Sequence, residues 1–175
     1  MLNQSPDTAA LYAYKWGGEP TLQALRAVVA NGTTVGTYFD QETRYTAKEV
    51  AMIQVSSLIY HSGRMRGIPG NFALLDFIID QAHHLSVPRH AAHPNAAKLL
   101  AAVIAGPEGQ RIAAQYIGAG NRYYGGSWEQ QLAEQAKAAG LQPASWWTDP
   151  GALDFLLSPS GDETKRGIAT VLQGG

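Results

Sequence analysis

Two short polar stretches carry the groups with which this chain could hold a ligand. The first is Thr37-Tyr38-Phe39-Asp40; the second is Gln54-Val55-Ser56-Ser57, with Tyr60 one turn further on. Tyr38, Asp40, Gln54, Ser56, Ser57 and Tyr60 together offer phenol, carboxylate, amide and hydroxyl groups. Each stretch precedes a segment of helical pattern, whose first N–H groups lack intrahelical partners and suit an anionic or polar ligand. A local use competes with this one. Asp40 and Ser56 or Ser57 are residue types that cap the helices they precede, and Tyr38 and Tyr60 suit packing with the hydroxyl reaching water. Capping and binding are compatible.

Other chemistry is thin. His83, His84, His90 and His93 cluster, and His90-x-x-His93 has a spacing that can share a metal, but no cysteine and no nearby pair of acids completes a ligand set. Gly118-Ala119-Gly120-Asn121-Arg122-Tyr123 lacks the third glycine of a dinucleotide fingerprint and follows a helical pattern, not a strand. There is no G-x-S-x-G elbow and no G-K-[S/T] phosphate loop. No catalytic residue, metal site or cofactor is therefore expected. Trp146-Trp147 suits burial of apolar area more than stacking on a sugar.

Composition narrows the partners. The 175 residues are 45% hydrophobic, enough for one domain with a core. Thirteen Lys plus Arg against fourteen Asp plus Glu leave a formal charge of -1, so no basic field favours nucleic acid or an anionic membrane. The lack of cysteine excludes disulfides and thiolate chemistry and fits either a reducing or an oxidising compartment. Met1 to Asp7 has neither the positive start nor the apolar stretch of a secretory leader, and no run approaches the length of a membrane helix.

The elements that must position these groups follow from periodicity and punctuation. Asp7 can cap a helix through Leu11 and Tyr14 that halts at Gly17-Gly18, and Glu19-Pro20 opens a second with Leu22, Leu25 and Val29 on one face and Asn31-Gly32 as its stop. Thr33 to Tyr38 suits a short strand, Glu42 to Lys48 a helical turn or two, and Val50-Ala51-Met52-Ile53 a buried parallel strand ahead of a helix from Leu58 to about Arg64. Phe72 to Ile79 fits either a buried strand or a short core helix, and His84 to Val87 fits a strand. Pro94 at a first helical position, with Ala96, Leu99, Leu100 and Val103 on one face, predicts a helix ended by Gly106. Pro107 then opens another that carries Ile112, Ala113 and Tyr116, a corner packed on something larger. Ser127 and Gln130 form an S-x-x-Q capping box for a helix ending at Gly140, and Ser158-Pro159 starts a last helix that buries Ile168, Val171 and Leu172. Alternating strands and helices predict an α/β fold, a mostly parallel sheet flanked by helices, with ligands at the carboxyl ends of its strands.

The corner is more specific in wording than in period. Val87-Pro88-Arg89-His90-Ala91-Ala92-His93-Pro94-Asn95-Ala96-Ala97-Lys98-Leu99, followed by Pro107-Glu108-Gly109-Gln110, resembles the late segment of extracellular substrate-binding proteins of ABC transporters. The likeness is to the ferric iron class of type II periplasmic binding proteins, in which "V-P-K-G", "H-P-N-A-A-K" and "S-P-E-G-Q" follow one another. Val29-Ala30-Asn31-Gly32 and Lys48-Glu49-Val50-Ala51-Met52 look like the "V-A-N-G" turn and "G-E-V-A-M" strand of that family's second lobe.

The resemblance implies a type II periplasmic-binding-protein-like lobe in which residues 1–175 form a single α/β domain, the second lobe plus the C-terminal part. It also implies a solute-binding component of an ABC-type importer, without catalysis, in a periplasmic setting and serving the transporter's membrane subunits. Where ferric-binding members carry adjacent tyrosines, this chain reads Val55-Ser56-Ser57; the Tyr123-Tyr124 pair lies in a glycine-flanked stretch elsewhere. The expected ligand is thus a small polar or anionic solute, the missing tyrosine pair speaking against direct ligation of iron. With most of a first lobe missing from these residues, a homodimer or association with a missing lobe is expected. The alternative is a stand-alone interaction or regulatory module derived from such a lobe, for which a cytoplasmic setting is open. A third, a metal-dependent enzyme built on the histidines, has the incomplete ligand set against it.

Overall fold

The computed structural model describes residues 1–74, 78–81, 83–118, 120–141 and 143–174. In chain order the elements are β1 (Leu2–Asn3), α1 (Pro6–Trp16), α2 (Gly18–Ala30), β2 (Val35–Gly36), α3 (Tyr38–Thr46), α4 (Ser57–Met65), β3 (Ile78–Ile79), α5 (Pro94–Ala105), α6 (Pro107–Ile112), a π-helical turn Ala113–Ile117, α7 (Trp128–Ala138), β4 (Pro143–Ala144), α8 (Pro150–Leu157) and α9 (Pro159–Gln173). They divide into two compact units. One comprises Met1–Val55, Asp76–Gln81 and Pro143–Gly175, the other Ser56–Leu75 and Ala82–Gln142.

The first unit is built on helices. Pro6 stands in the first turn of α1 with Asp7 beside it, both suited to a helix start, and Ala9, Ala10, Leu11 and Ala13 are buried. Gly17, at φ +94°, makes the tight joint to α2, a backbone conformation that costs a side-chain-bearing residue. The alanine face of α1 lets α9 approach closely. Ala9, Ala10, Leu156, Ile168 and Leu172 form the core, with Leu22, Leu25, Val35, Trp146 and Phe155 packed around it. Ser158 joins α8 to α9 by donating to Phe155 O at 2.6 Å and accepting from Gly161 N at 3.0 Å. The last helix therefore begins where Ser158-Pro159 predicts, although of its expected core residues only Ile168 and Leu172 are fully buried and Val171 is partly so.

The predicted α/β fold, a periplasmic-binding-protein-like lobe with a mostly parallel sheet, is overturned. The described residues are mostly helical, 59% helix and 4% strand. Among the described residues the strands are two-residue parallel pairs, Leu2 and Asn3 against Val35 and Gly36, and Ile78 and Ile79 against Pro143 and Ala144. The reason is local in one place and tertiary in another. Thr37 captures Asp40 N–H on its hydroxyl, so the chain is already helical at Tyr38 and only Val35-Gly36 of the expected strand survives. Val50 to Ile53 forms no strand and leaves Met52 78% exposed, because the burial in this unit is done by helices packing on helices. His84 to Val87 is likewise not a strand. Of the ambiguous Phe72 to Ile79 run, Ile78–Ile79 is strand and residues 75–77 lie outside the described residues.

The second unit contains α4, α5, α6 and α7. The predicted corner is present: Pro94 opens α5, Pro107 opens α6, and a side chain at Gly109 would run into Val103 O, so glycine sets how closely the two helices meet. The something larger is not found among the described residues. Leu99 is 67% and Tyr116 68% exposed, and no residue of α5 or α6 is fully buried. At α7, Ser127 accepts from Gln130 N, as its capping role predicts, while Gln130 Oε1 accepts from Gly126 N in place of Ser127 N. No helix of the described residues is long and apolar enough to cross a membrane.

Truncating the fully buried Ile168 to Ala should cost about 2–5 kcal/mol of stability. Leu157→Ala, at a side chain 74% exposed, should change it by about 0.5 kcal/mol or less. Urea unfolding of both variants checks this contrast.

Candidate functional site

Within the first unit the carboxyl ends of β1 and β2 run directly into α1 and α3. Asn3 Oδ1 accepts from Ser5 N at 2.8 Å, turning the chain into α1. On the free side of β1 lies the segment 52–54: the Met1 ammonium donates to Met52 O at 2.9 Å and Gln54 N to Met1 O at 3.0 Å. Asn3 N then donates to Gln54 Oε1 at 3.1 Å, which sets the Gln54 amide beside the start of α1.

Four side chains converge there. Thr8 and Tyr12 are one turn apart on α1 and so share a face. The Gln54 side chain lies beside the Tyr12 hydroxyl. The Tyr38 hydroxyl, at the first position of α3, lies beside the Thr8 side chain. Thr8 is buried and the two tyrosines are half-buried. Burial pushes both phenols above an ordinary tyrosine; for Tyr12 the polar Gln54 side chain works against this and ionisation of the neighbouring Tyr38 adds to it, and for Tyr38 the polar Thr8 side chain works against it. Near neutral pH both are uncharged hydroxyls, able to donate a hydrogen bond and unsuited to ligating a hard cation as phenolates. The cluster is a cradle of neutral polar groups at the mouth of two parallel strands.

Of the six residues singled out by sequence, Tyr38 and Gln54 are brought into this cluster. Asp40 is exposed and committed to its own helix, its Oδ2 accepting from Thr37 N at 2.8 Å and Thr37 Oγ1 at 2.7 Å. The Thr37 hydroxyl, and then its N–H, hold that carboxyl below the usual carboxylate range. The other three belong to the second unit. Ser56 caps α4 by accepting from Ile59 N at 3.4 Å, and Ser57 Oγ donates to Glu129 Oε1 of α7 at 3.1 Å. The Tyr60 ring packs between Trp128 and Phe72, with centroids 5.4 Å and 5.1 Å away, and its hydroxyl donates to Gly70 O. These three hold α4 and its surroundings together.

Thr8 and Tyr12 escaped the sequence reading. The available signal was a hydroxyl pair four residues apart on the buried face of a helix otherwise lined with alanine and leucine. Among the described residues no three His, Asp or Glu side chains are placed to hold a metal ion. Two wide-open surface depressions also exist. One, of about 460 Å³, lies on α2 at Ala27 to Asn31; the other, of about 520 Å³, lies between Pro6 and the Asp162 to Ala169 stretch of α9. Neither includes the cradle. The second has Lys165, but this is engaged by Asp162 and Leu156 O. Convergent polar groups favour the cradle over either.

Compared with family models, with curated proteins and with solved structures, the chain has no significant match.

The raised phenols have a defined consequence for pH. Each contributes stability that is complete below the ordinary tyrosine value and is lost as pH rises through its folded value. Ultraviolet titration should show late-ionising tyrosines. Tyr12→Phe and Tyr38→Phe should each remove one of them and leave that of Tyr14, which burial and the Asp149 carboxylate also raise.

Proposed function

We propose that this chain is a solute-binding component, or one lobe of such a component, of an ABC-type importer, and that it holds a small polar or anionic ligand without transforming it. The observation that carries the reading is the convergence of Tyr12, Tyr38, Gln54 and Thr8 at the carboxyl ends of β1 and β2. Neutral donors at a place where helices begin can orient carboxylate or phosphate oxygens. They supply no general base near neutral pH, which favours holding over catalysis. The transport setting, with membrane subunits as partners, is supported by the wording of the His93 to Leu99 and Pro107 to Gln110 corner.

Titration calorimetry with inorganic phosphate, succinate and malate tests the reading. The wild-type chain should bind one of them. The double variant Tyr12→Phe, Tyr38→Phe should weaken that binding by about tenfold or more, the scale of one lost hydrogen bond to a charged group. Failure of the wild type to bind phosphate, succinate or the hydroxy acid malate would remove the proposal.

A second reading, a stand-alone interaction module, is favoured by one observation in the second unit. Leu99, Leu100 and Val103 lie on α5 with more than half of each side chain exposed, an apolar surface of the kind that protein contacts cover. Light scattering against concentration should then show self-association, and a Leu99→Glu, Leu100→Glu variant should remain monomeric. A clean wild-type monomer at high concentration would discard this reading.

A further inference from the structure

Gln41 is the most deeply buried polar side chain of the first unit and the least satisfied. It is 1% exposed, and neither its Oε1 nor its Nε2 has a hydrogen-bond partner among the described residues. Its backbone is ordinary helix, with its N–H donating to Thr37 O at 3.0 Å. Both ends of a carboxamide left unpaired in the interior are costly, whereas leucine or methionine of similar size would pack there without that cost. Thr21 Oγ1 and Trp146 Nε1 are also buried without partners, but each is a single atom. Gln41 is distinguished by its position as well. It follows Tyr38 by three residues on α3 and so shares that helix's face with the phenol that meets Thr8.

We infer that Gln41 is a ligand-binding residue of the cradle, hidden in the free protein and supplied with partners in the occupied state. This rests on the solute-binding reading and deepens it by naming a residue and a two-state element. The element is α3, nine residues long, with Phe39, Asp40, Thr43 and Arg44 exposed on its outer side. In the occupied state α3 shifts on β1 and β2, so that the amide of Gln41 is uncovered on the helix face it shares with Tyr38. A carboxylate or phosphate there accepts from Nε2, and a ligand hydroxyl donates to Oε1. A ligand that satisfies the amide binds the shifted arrangement of α3 more tightly than the unshifted one, and this difference drives the shift. An amide also selects for ligands bearing both an acceptor and a donor, and so for hydroxy acids or sugar phosphates over plain anions.

The test is Gln41→Met, with Gln41→Leu as a second variant in case one side chain packs poorly. Thermal unfolding and binding are measured on the whole chain with inorganic phosphate, succinate and malate as probes. The inference expects opposite signs: a midpoint raised by several degrees in at least one variant, malate bound more tightly than succinate by the wild type, and that preference lost with about tenfold weaker malate binding in the stabilised variant. A purely structural glutamine cannot produce that combination. Lower stability in both variants would overturn the inference, because the amide would then be satisfied in the free protein. A stabilised variant that keeps the wild-type malate preference would overturn it while leaving the solute-binding reading intact. Wild-type protein that binds none of the three probes would overturn both.

Discussion

The close approach of α1 to α9 is the constraint on which the first unit depends. Ala9 and Ala10 present almost no side chain, so Ile168 and Leu172 come down onto the backbone of α1 and bury fully. That contact orients α1 about its own axis. With the alanine side turned to α9, Thr8 and Tyr12 are turned toward α3 and the segment that carries Gln54. The position of the polar cluster is thus a consequence of how the apolar face packs.

The same economy governs the small parallel pairs. Two residues on each strand supply too little ladder to hold a sheet alone. Here β1 and β2 act as a clip: Leu2 and Val35 add their side chains to the helical core while Asn3 and Gly36 deliver the chain into two helix starts. The hydrogen bonds of Asn3, on its side chain to Ser5 and on its backbone to Gln54, tie three segments at one point. A residue that is 7% exposed and hydrogen-bonded to two other segments in this way acts as a structural joint. Gln41 is more deeply buried still, and its side chain has no hydrogen-bond partner among the described residues.

The second unit has a different balance. Its α4 and α7 are bound by specific contacts, namely the Ser57 to Glu129 hydrogen bond and the Tyr60, Trp128 and Phe72 ring packing. Its α5 and α6 are joined to each other by the tight Gly109 crossing and by Gln110 Nε2 donating to Ile104 O at 2.9 Å, but their apolar stripe is open. A corner that is well formed locally and uncovered laterally owes its shape to capping and sterics, with burial contributing little.

Helix starts were legible in the sequence because the chemistry that makes them is local. Pro94, Pro107 and Pro159 in first turns, and Ser127 and Ser158 as caps, act within four residues of themselves, so their roles could be read without knowing what lies nearby. The α8 helix carries the same local signal in Asp149-Pro150. The sheet was not legible. A run such as Val50 to Ile53 has no period that tells strand from any other buried segment, and a strand exists only where a neighbour pairs with it. The site divides in the same way. The sequence by itself determined that Ser56 would cap, since its partner is three residues away, and that Tyr38 and Gln54 stood where polar groups would be useful; Asp40, expected to precede its helix, instead sits inside α3 and completes the capping box of Thr37. Only the tertiary structure decided that Tyr38 and Gln54 meet through Thr8 and Tyr12, because those partners lie some thirty to forty residues away and the turn of α1 that presents them is set by its packing on α9.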